Sequence, residues 1–304
     1  MDTVVSLIPS ATEIVCALGA GEQLVGRSHE CDFPGAVTQL PVCTAPNLNP
    51  RGSSAEIDRE VKSLLHRALS VYRLETDTLI RLNPQVVITQ TQCEVCAVTL
   101  EEVEAALQSW VQGRPRLVSL APMALDDLWT DIAHVAGALG IAAKGEEVVL
   151  GLKDRIADIA ATARSGRSRP RVACIEWIEP LMAGGNWIPE MATLAGGECV
   201  FGEAGRHSPW ISWEQVVNED PDVVLLMPCG FDIERTRAEM HWLNQRTQWS
   251  SLKAVGAGQV YLTDGNHFFN RSGPRLVESL EIMAEILHPE LFSFGHEGRG
   301  WMRL

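Results

Sequence analysis

Two cysteines separated by two residues, Cys93 and Cys96, stand in the stretch T-Q-T-Q-C-E-V-C-A-V just after an apolar run. This spacing is that of one half of a zinc site, where thiolates bind at about 2.3 Å. Cys31 and His29, in the loop S-H-E-C-D, could supply two further ligands. A redox pair and pocket-lining thiols without a metal are the alternatives. The sequence thus predicts that these four residues bind zinc or another transition metal, or lie against a ligand.

A second set of residues suits a flat, partly apolar ligand. Tryptophan and phenylalanine supply a large contact area at low entropic cost. Histidine can ligate a metal, and arginine can pair with a carboxylate or phosphate. Core packing is the alternative for some of these rings, and a hydrogen-bonded loop position is the alternative for the histidine. For the arginine the alternative is pairing with Glu278 or a contact between lobes. The predicted ligand-binding residues are Trp177, Trp187, Trp210, Phe231, His267, Phe268, Phe269 and Arg275.

Most of these residues follow predicted strands. Each apolar run is followed by a loop and a helical pattern, which predicts parallel strands joined by crossover helices. Ligands bind outside the carboxyl ends of such strands. The stretch S-A-T-E, residues 10–13, predicts a capping box at the start of the first helix. The predicted strands begin at Val4, Leu24, Gln85 and Leu117 in the first half, and at Val172, Val223 and Val260 in the second.

Helical spacing dominates residues 124–164, between the two strand-rich halves. Its second part, residues 146–164, would form a helix roughly 30 Å long. We therefore predict an α/β protein of two Rossmann-like lobes with parallel sheets, joined by a long backbone helix, with a ligand cleft between the lobes. The predicted divisions are an N-terminal lobe (1–123), a linking helical segment (124–168) and a C-terminal lobe (169–304).

Composition narrows the class of protein. The 304 residues are 46% apolar and carry a formal net charge of −14, which argues against nucleic acid and anionic membrane partners. No apolar run reaches the ~20 residues of a membrane span, so we expect no membrane insertion. The start M-D-T-V-V-S-L-I-P lacks signal-peptide features. We therefore expect a cytoplasmic protein, or a periplasmic or extracellular one if this is a trimmed mature form.

Enzymatic motifs are absent from the sequence: it contains neither G-x-S-x-G nor a P-loop. Those motifs supply the nucleophile or the phosphate cradle of large enzyme classes. We therefore expect a binding protein rather than an enzyme.

Short stretches across nearly the whole chain carry a resemblance to a known family. On these stretches the chain resembles the class III, helical-backbone substrate-binding proteins of ABC importers, and most closely their vitamin B12 (cobalamin) binding branch. The stretches are S-L-I-P-S-A-T-E from Ser6, L-V-G-R-S from Leu24, L-N-P-Q-V-V-I from Leu82, A-G-G-N-W from Ala183, L-A-G-G-E-C-V-F from Leu194, S-W-E-Q-V from Ser212 and R-S-G-P-R from Arg271.

The resemblance implies a cargo and a partner. The cargo would be a corrinoid such as cobalamin or a related tetrapyrrole, with no cofactor required, and an exported form would work with an ABC permease. The superfamily also binds haem, siderophores and metal ions, and the loops here are richer in metal-type ligands than an aromatic B12 cleft. Two alternatives therefore stay open: binding of a transition metal or metal complex through loop cysteine and histidine, and a cleft enzyme acting on a corrinoid-type substrate.

Overall fold

A computed structural model describes residues 2–67, 69–92, 98–108 and 114–304. The chain divides into two compact units: unit 1 comprises residues 1–52, 56–122 and 126–151, and unit 2 comprises residues 53–55, 123–125 and 152–304. Strands alternate with helices in each unit, and each unit has its own sheet with a parallel centre. The predicted α/β fold is therefore confirmed.

The first half of the chain builds a four-stranded parallel sheet in the order β2-β1-β5-β6, and β3 and β4 form a separate antiparallel pair. The elements are β1 (Val4–Ser6), α1 (Pro9–Ala17), β2 (Leu24–Arg27), β3 (Thr44–Pro46), α2 (Ser54–His66), β4 (Tyr72–Leu74), α3 (Thr76–Leu82), β5 (Val86–Gln90), α4 (Leu100–Gln108), β6 (Arg116–Leu120), α5 (Leu125–Ala138) and α6 (Ala142–Ala163).

Burial explains why the predicted strands form. All three residues of β1 and all five of β5 are buried, as expected for central parallel strands that are covered on both faces. Their β-branched residues pack well on a pleated surface. One side of this sheet packs in a core that includes Val5, Leu7, Leu79, Val87 and Val103.

Helix α1 begins two residues earlier than the predicted capping box requires. Ile8 is its N-cap residue and makes no side-chain capping hydrogen bond. Pro9 occupies the first helical turn, where the missing N–H of proline costs nothing. Ser10 and Glu13 therefore both lie inside the helix, where they are buried, and the predicted capping box is wrong.

The long helix predicted near the middle of the chain is α6. Its 22 residues correspond to about 33 Å, and it starts at residue 142 rather than 146. Helix α5 before it ends at Ala138, and Gly140 then adopts a φ of +71°, the left-handed conformation that commonly ends helices. The boundary between the units falls within α6. No helix in the described ranges is both long and apolar enough to cross a bilayer.

The second half builds a sheet in the order β12-β11-β10-β7-β8, with β9 pairing alongside β7. Strands β11, β10 and β7 are mutually parallel, whereas β8 and β12 are antiparallel additions at the edges. The elements are β7 (Arg171–Trp177), β8 (Met182–Ala183), α7 (Ile188–Leu194), β9 (Glu198–Cys199), α8 (Trp213–Glu219), β10 (Val223–Leu226), α9 (Ile233–Asn244), α10 (Lys253–Gly256), β11 (Val260–Thr263), α11 (Leu276–Leu287) and β12 (Trp301–Arg303).

Candidate functional site

The carboxyl ends of β7, β10 and β11 form one edge of the unit 2 sheet, because the three strands are adjacent and parallel. The loops that leave this edge touch each other. The backbone N–H of Asn266 donates to the carbonyl of Phe231 over 3.1 Å. A β-carbon at Gly265 would come within 2.3 Å of the carbonyl oxygen of Pro228, so this close approach requires glycine. We call the ends of these three strands, together with the loops that follow them, the carboxyl edge of unit 2.

An acid–histidine pair stands at this edge. Asp264, the first residue after β11, accepts the backbone N–H groups of Asn266 and His267 with Oδ1, over 3.1 and 2.9 Å. Its Oδ2 lies 2.7 Å from Nδ1 of His267. The carboxylate is therefore held by the loop backbone, and it fixes the orientation of the imidazole. The His267 side chain keeps 35% of its surface exposed.

The loop that carries His267 is tied down further along. The backbone N–H of Phe269 donates to the hydroxyl of Ser279 over 2.9 Å, and the Asn270 amide donates to the carbonyls of Met227 and Gly265. Phe269 itself has a φ of +67°, which is rare for a bulky residue. Such backbone strain persists only where the surroundings hold it, and it is often found at binding sites.

Trp177 and Phe231 meet edge to face at the ends of β7 and β10, with ring centroids 5.3 Å apart. The Trp177 indole N–H donates to the carbonyl of Ser54, another residue of unit 2, over 3.2 Å. The Arg235 guanidinium lies 3.6 Å from the centre of the Phe231 ring. Both rings are thus fixed in orientation, and Trp177 remains half-buried.

Four of the predicted ligand-binding aromatics are buried in the structure. Trp187, Phe231, Phe268 and Phe269 are each less than 5% exposed. They hold the loops of the carboxyl edge in place rather than form its outer surface, because a ring with no exposed face has its contacts satisfied within the unit. A direct contact between any of them and a ligand stays a prediction.

Trp210 differs from those four rings, because it is 55% exposed. Its backbone bridges to Met182, which in turn pairs with Trp177 at the end of β7. Trp210 therefore lies beside the carboxyl edge and presents an indole surface there.

Arg275 is 7% exposed. Its Nε lies 3.4 Å from a carboxylate oxygen of Glu278, and its guanidinium lies 4.5 Å from the Phe268 ring centre. The structure thus contains the Glu278 pairing that the sequence leaves as the alternative. Pairing of Arg275 with a ligand anion stays a prediction.

In unit 1, the predicted metal ligands His29 and Cys31 make other contacts. The Cys31 thiol is buried and lies 3.0 Å from the Thr12 hydroxyl and 3.2 Å from the Ser28 hydroxyl. Nδ1 of His29 lies 2.7 Å from the Thr44 hydroxyl. Burial, helped by Arg27 and Arg73, lowers the His29 pKa to about 4, so the imidazole is neutral near pH 7.

The other two predicted metal ligands, Cys93 and Cys96, lie outside the described residues. Within the described residues, no group of three or more His, Cys, Asp or Glu side chains has a geometry that could hold a metal ion. His29 and Cys31 are therefore not part of such a group there, and the four-ligand site stays a prediction.

Two acidic residues near the edge have roles that the sequence interpretation did not identify. Asp264 orients His267, and the signal was available as an acid three residues before a histidine at a strand end. Glu176, the penultimate residue of β7, accepts the Ser208 hydroxyl over 2.8 Å. Burial raises the Glu176 pKa to about 7, although hydrogen bonds from Ser208 and Gly185 oppose the shift. Nothing in its local sequence indicates that burial.

Comparisons with known proteins agree with this architecture. A family model described as periplasmic binding protein matches residues 4–266. An uncharacterised ABC transporter substrate-binding lipoprotein of Bacillus subtilis is 23% identical over 298 residues, covering 95% of this chain and 81% of that protein. The vitamin B12-binding protein of Vibrio cholerae is 23% identical over 294 residues, covering 92% and 87%.

Solved structures share the fold. A periplasmic heme-binding protein of Pseudomonas aeruginosa superposes with a TM-score of 0.72 at 20% identity, covering 95% of this chain and 94% of that chain. The periplasmic vitamin B12-binding protein of Vibrio cholerae superposes with a TM-score of 0.67 at 19% identity, covering 95% and 97%.

These findings settle the class of protein. The family model is that of a periplasmic binding protein, and the relatives are named as binding proteins, one of them as an ABC transporter substrate-binding lipoprotein. The expectation of a binding protein rather than an enzyme is therefore confirmed, and the enzyme acting on a corrinoid-type substrate is set aside. Several of the relatives are named as periplasmic proteins or as a lipoprotein, and the expected cytoplasmic location finds no support among them. The chain belongs to the periplasmic binding protein family.

Proposed function

We propose that this protein binds a corrinoid or a related tetrapyrrole and that the carboxyl edge of unit 2 contacts it. The observation that carries the proposal is the combination, at one edge, of accessible indole surface with an oriented imidazole. Trp177 and Trp210 offer faces on which a flat macrocycle can pack, and such contacts supply large area at low entropic cost. His267 offers a nitrogen of the type that cobalt and iron bind.

The named relatives support this ligand class. Proteins similar to this chain over more than nine-tenths of its length are named as binding vitamin B12, and proteins of the same fold are named as binding heme. Both ligands are metal-containing macrocycles. The tetrapyrrole would be cargo, held reversibly, rather than a cofactor required for the protein to work.

Titration of the purified protein with cyanocobalamin and, separately, with haemin tests the proposal. Both are coloured, so binding should shift the visible spectrum, and calorimetry should give the stoichiometry. Trp177→Ala should weaken binding of the macrocycle by about 1–3 kcal/mol, the transfer free energy of a large apolar side chain. Because Trp177 is half-buried, each variant is first checked for its unfolding midpoint.

Trp213→Ala is the matched control. Trp213 is the first residue of α8; its indole N–H donates to the Thr247 carbonyl over 2.7 Å, and its ring centre lies 6.2 Å from that of Trp249, so its indole packs within unit 2. We expect unchanged affinity in this variant. If neither macrocycle binds the wild type, the proposed ligand class is wrong. If Trp177→Ala and Trp213→Ala lose the same affinity, the carboxyl edge does not contact the ligand.

We further propose that the protein is exported and delivers its cargo to an ABC permease. The support is that relatives are named as an ABC transporter substrate-binding lipoprotein and as periplasmic binding proteins. Fractionation of the native host should find the protein outside the cytoplasmic membrane. Cargo uptake should require both this protein and one permease, and recovery in the cytosolic fraction alone would contradict the export.

A further inference from the structure

The Asp264–His267 pair has the form that proteins use to prepare a histidine for metal binding. Metal-ligating histidines usually donate their second ring nitrogen to a carboxylate, which fixes the tautomer and the ring orientation. Here the carboxylate Oδ2 lies 2.7 Å from Nδ1. Because a carboxylate only accepts hydrogen bonds, Nδ1 donates to it, and in the neutral imidazole, the form that binds metals, the lone pair is then on Nε2.

The carboxylate is itself held in place, so that the orientation is built into the loop. Asp264 Oδ1 accepts the backbone N–H groups of Asn266 and His267. The backbone N–H of Phe268 donates to the Asp264 carbonyl over 3.0 Å. The next residue, Phe269, has a left-handed backbone conformation, and its N–H donates to the Ser279 hydroxyl. Pre-organisation of this kind lowers the entropic cost of binding.

Other histidines provide a contrast. His296 also contacts a carboxylate, Glu281, at 2.9 Å, but its side chain is only 13% exposed. His288 is fully buried, and Nδ1 of the exposed His241 lies 2.9 Å from a backbone carbonyl, that of Ala238. His267 combines an acid-oriented ring, an exposed third of its surface and a position at the carboxyl edge, where ligands of parallel sheets bind.

One oriented imidazole matches a particular kind of ligand. A bare zinc ion takes four ligands in a protein site, whereas the iron of haem is already held by its macrocycle and takes an axial ligand from the protein. The cobalt of a corrinoid is held by its ring in the same way. A single histidine is therefore sufficient for a metal-centred macrocycle.

We propose that Nε2 of His267 coordinates the central metal of the bound tetrapyrrole and that Asp264 acts as the positioning residue. The inference rests on the proposed function, and it adds that the protein selects macrocycles that carry a metal with an open axial position. The cobalt of a corrinoid and the iron of haem share this chemistry.

Paramagnetic cob(II)inamide, which lacks an axial base of its own, is the first probe. In electron paramagnetic resonance, one axial nitrogen should split the cobalt lines of the wild-type complex into triplets. Labelling the protein with ¹⁵N-histidine should convert the triplets into doublets, a result that needs no variant to fold. His267→Ala should abolish the splitting, and added imidazole should restore it. His207→Ala, a change at another exposed histidine, should leave it intact.

Haemin and metal-free protoporphyrin IX are the second pair of probes. His267→Ala should lower the affinity for haemin by roughly tenfold or more and leave the affinity for protoporphyrin IX unchanged. Asp264→Asn can still accept the two backbone N–H groups through its amide oxygen but presents no carboxylate to Nδ1. It should lower haemin affinity by about 10- to 100-fold, the usual effect of removing such a partner, and shift the haemin spectrum. Nitrogen splitting in the cob(II)inamide spectrum without a change in haemin affinity would mean that the site accepts cobalt. Loss of haemin affinity in His267→Ala without nitrogen splitting would mean that it accepts iron.

The outcomes separate the two proposals. Wild-type binding of the macrocycles without nitrogen splitting and without a His267-dependent haemin spectrum would overturn the coordination and leave the proposed function standing. Splitting that persists in His267→Ala would assign the ligand to another residue and also overturn it. If neither metal-containing macrocycle binds the wild type, the proposed function fails and the coordination fails with it.

Discussion

The indole nitrogen of Trp187 donates a 2.7 Å hydrogen bond to the backbone carbonyl of Phe269, 82 residues later in the chain. Trp187 stands at the start of α7, and Phe269 lies in the His267 loop with a φ of +67°. Both side chains are buried. The contact therefore ties the strained part of the carboxyl edge to the interior of unit 2.

Removal of this hydrogen bond should destabilise the protein even without ligand. Trp187→Phe keeps an aromatic ring but leaves the carbonyl without the indole, and should cost about 1–3 kcal/mol. Trp187→Ala also opens a cavity and should cost about 3–5 kcal/mol. Trp210→Ala, at an exposed indole, is the control and should stay within about 0.5 kcal/mol. Urea unfolding measures all three, and an unchanged Trp187→Phe variant would show that the bond is not needed.

Strand periodicity predicted most of the fold because it reports on backbone burial. The run from Gln85 predicts β5, and the run from Val260 predicts β11, at nearly the observed bounds. The two-residue strands β8 and β9 and the edge strand β12 are too short to produce a pattern, and long-range pairing defines them. The predicted capping box was wrong because the helix already begins at Pro9, so Ser10 lies inside it and not at its N-cap.

Site residues were harder to predict than strands. The position of His267 at the carboxyl edge was predictable, because strand ends follow from the sequence; its contact with a ligand stays a prediction. The burial of Phe268 and Phe269 was not predictable, since sequence does not distinguish a loop aromatic that faces solvent from one that turns inward. Their burial depends on contacts such as Ser279 with the Phe269 N–H, which only the folded chain provides.

Asp131, in α5, should make stability fall as pH rises. It is 4% exposed, and burial raises its pKa from 3.8 to about 7, with a backbone hydrogen bond from Ala121 opposing the shift and Asp127 adding to it. Below the unfolded pKa the carboxyl is protonated in both states. Between pH 4 and 7 it ionises only in the unfolded chain, which lowers the free energy of unfolding as pH rises.

Asp131→Asn removes this titration and tests the expectation. At about 1.4 kcal/mol per pKa unit, the wild type should lose between about 1 and 4 kcal/mol relative to the variant from pH 4 to pH 7. Unfolding free energies measured at several pH values give the difference directly. Glu176 titrates in the same direction in both proteins, so it cancels. Parallel pH profiles for the two proteins would contradict the prediction.

The Cys93 and Cys96 pair, outside the described residues, predicts about one equivalent of zinc in the purified protein, which Cys93→Ser with Cys96→Ser should remove. If the predicted four-ligand site forms, Cys31→Ser should also lower the metal content, because zinc takes four ligands; the described contacts of the Cys31 thiol are with the Thr12 and Ser28 hydroxyls. Elemental analysis decides each case. A metal-free wild type would show that there is no zinc site, and full metal content in Cys31→Ser would show that Cys31 is not one of its ligands.

Glu285, on α11, fastens the C-terminal segment to unit 2. Its carboxylate accepts the backbone N–H of Gly295 over 2.5 Å and that of His296 over 3.2 Å, and the Trp301 indole N–H over 2.9 Å. The side chain is 5% exposed. A buried donor that loses its acceptor costs about 1–3 kcal/mol. We therefore expect Glu285→Ala to lower the free energy of unfolding by about 2–4 kcal/mol.

The loss should also be local, and that distinguishes this role from general core packing. Hydrogen exchange should accelerate first at residues 295–303, including β12, because these backbone groups lose their anchor before the rest of the sheet opens. Glu285→Gln retains one acceptor oxygen and should fall between wild type and Glu285→Ala. Glu290→Ala, at an exposed carboxylate beside His288, is the control and should change stability by less than about 0.5 kcal/mol. Exchange that rises uniformly over unit 2 would mean that Glu285 supports the whole unit rather than its C-terminal strand.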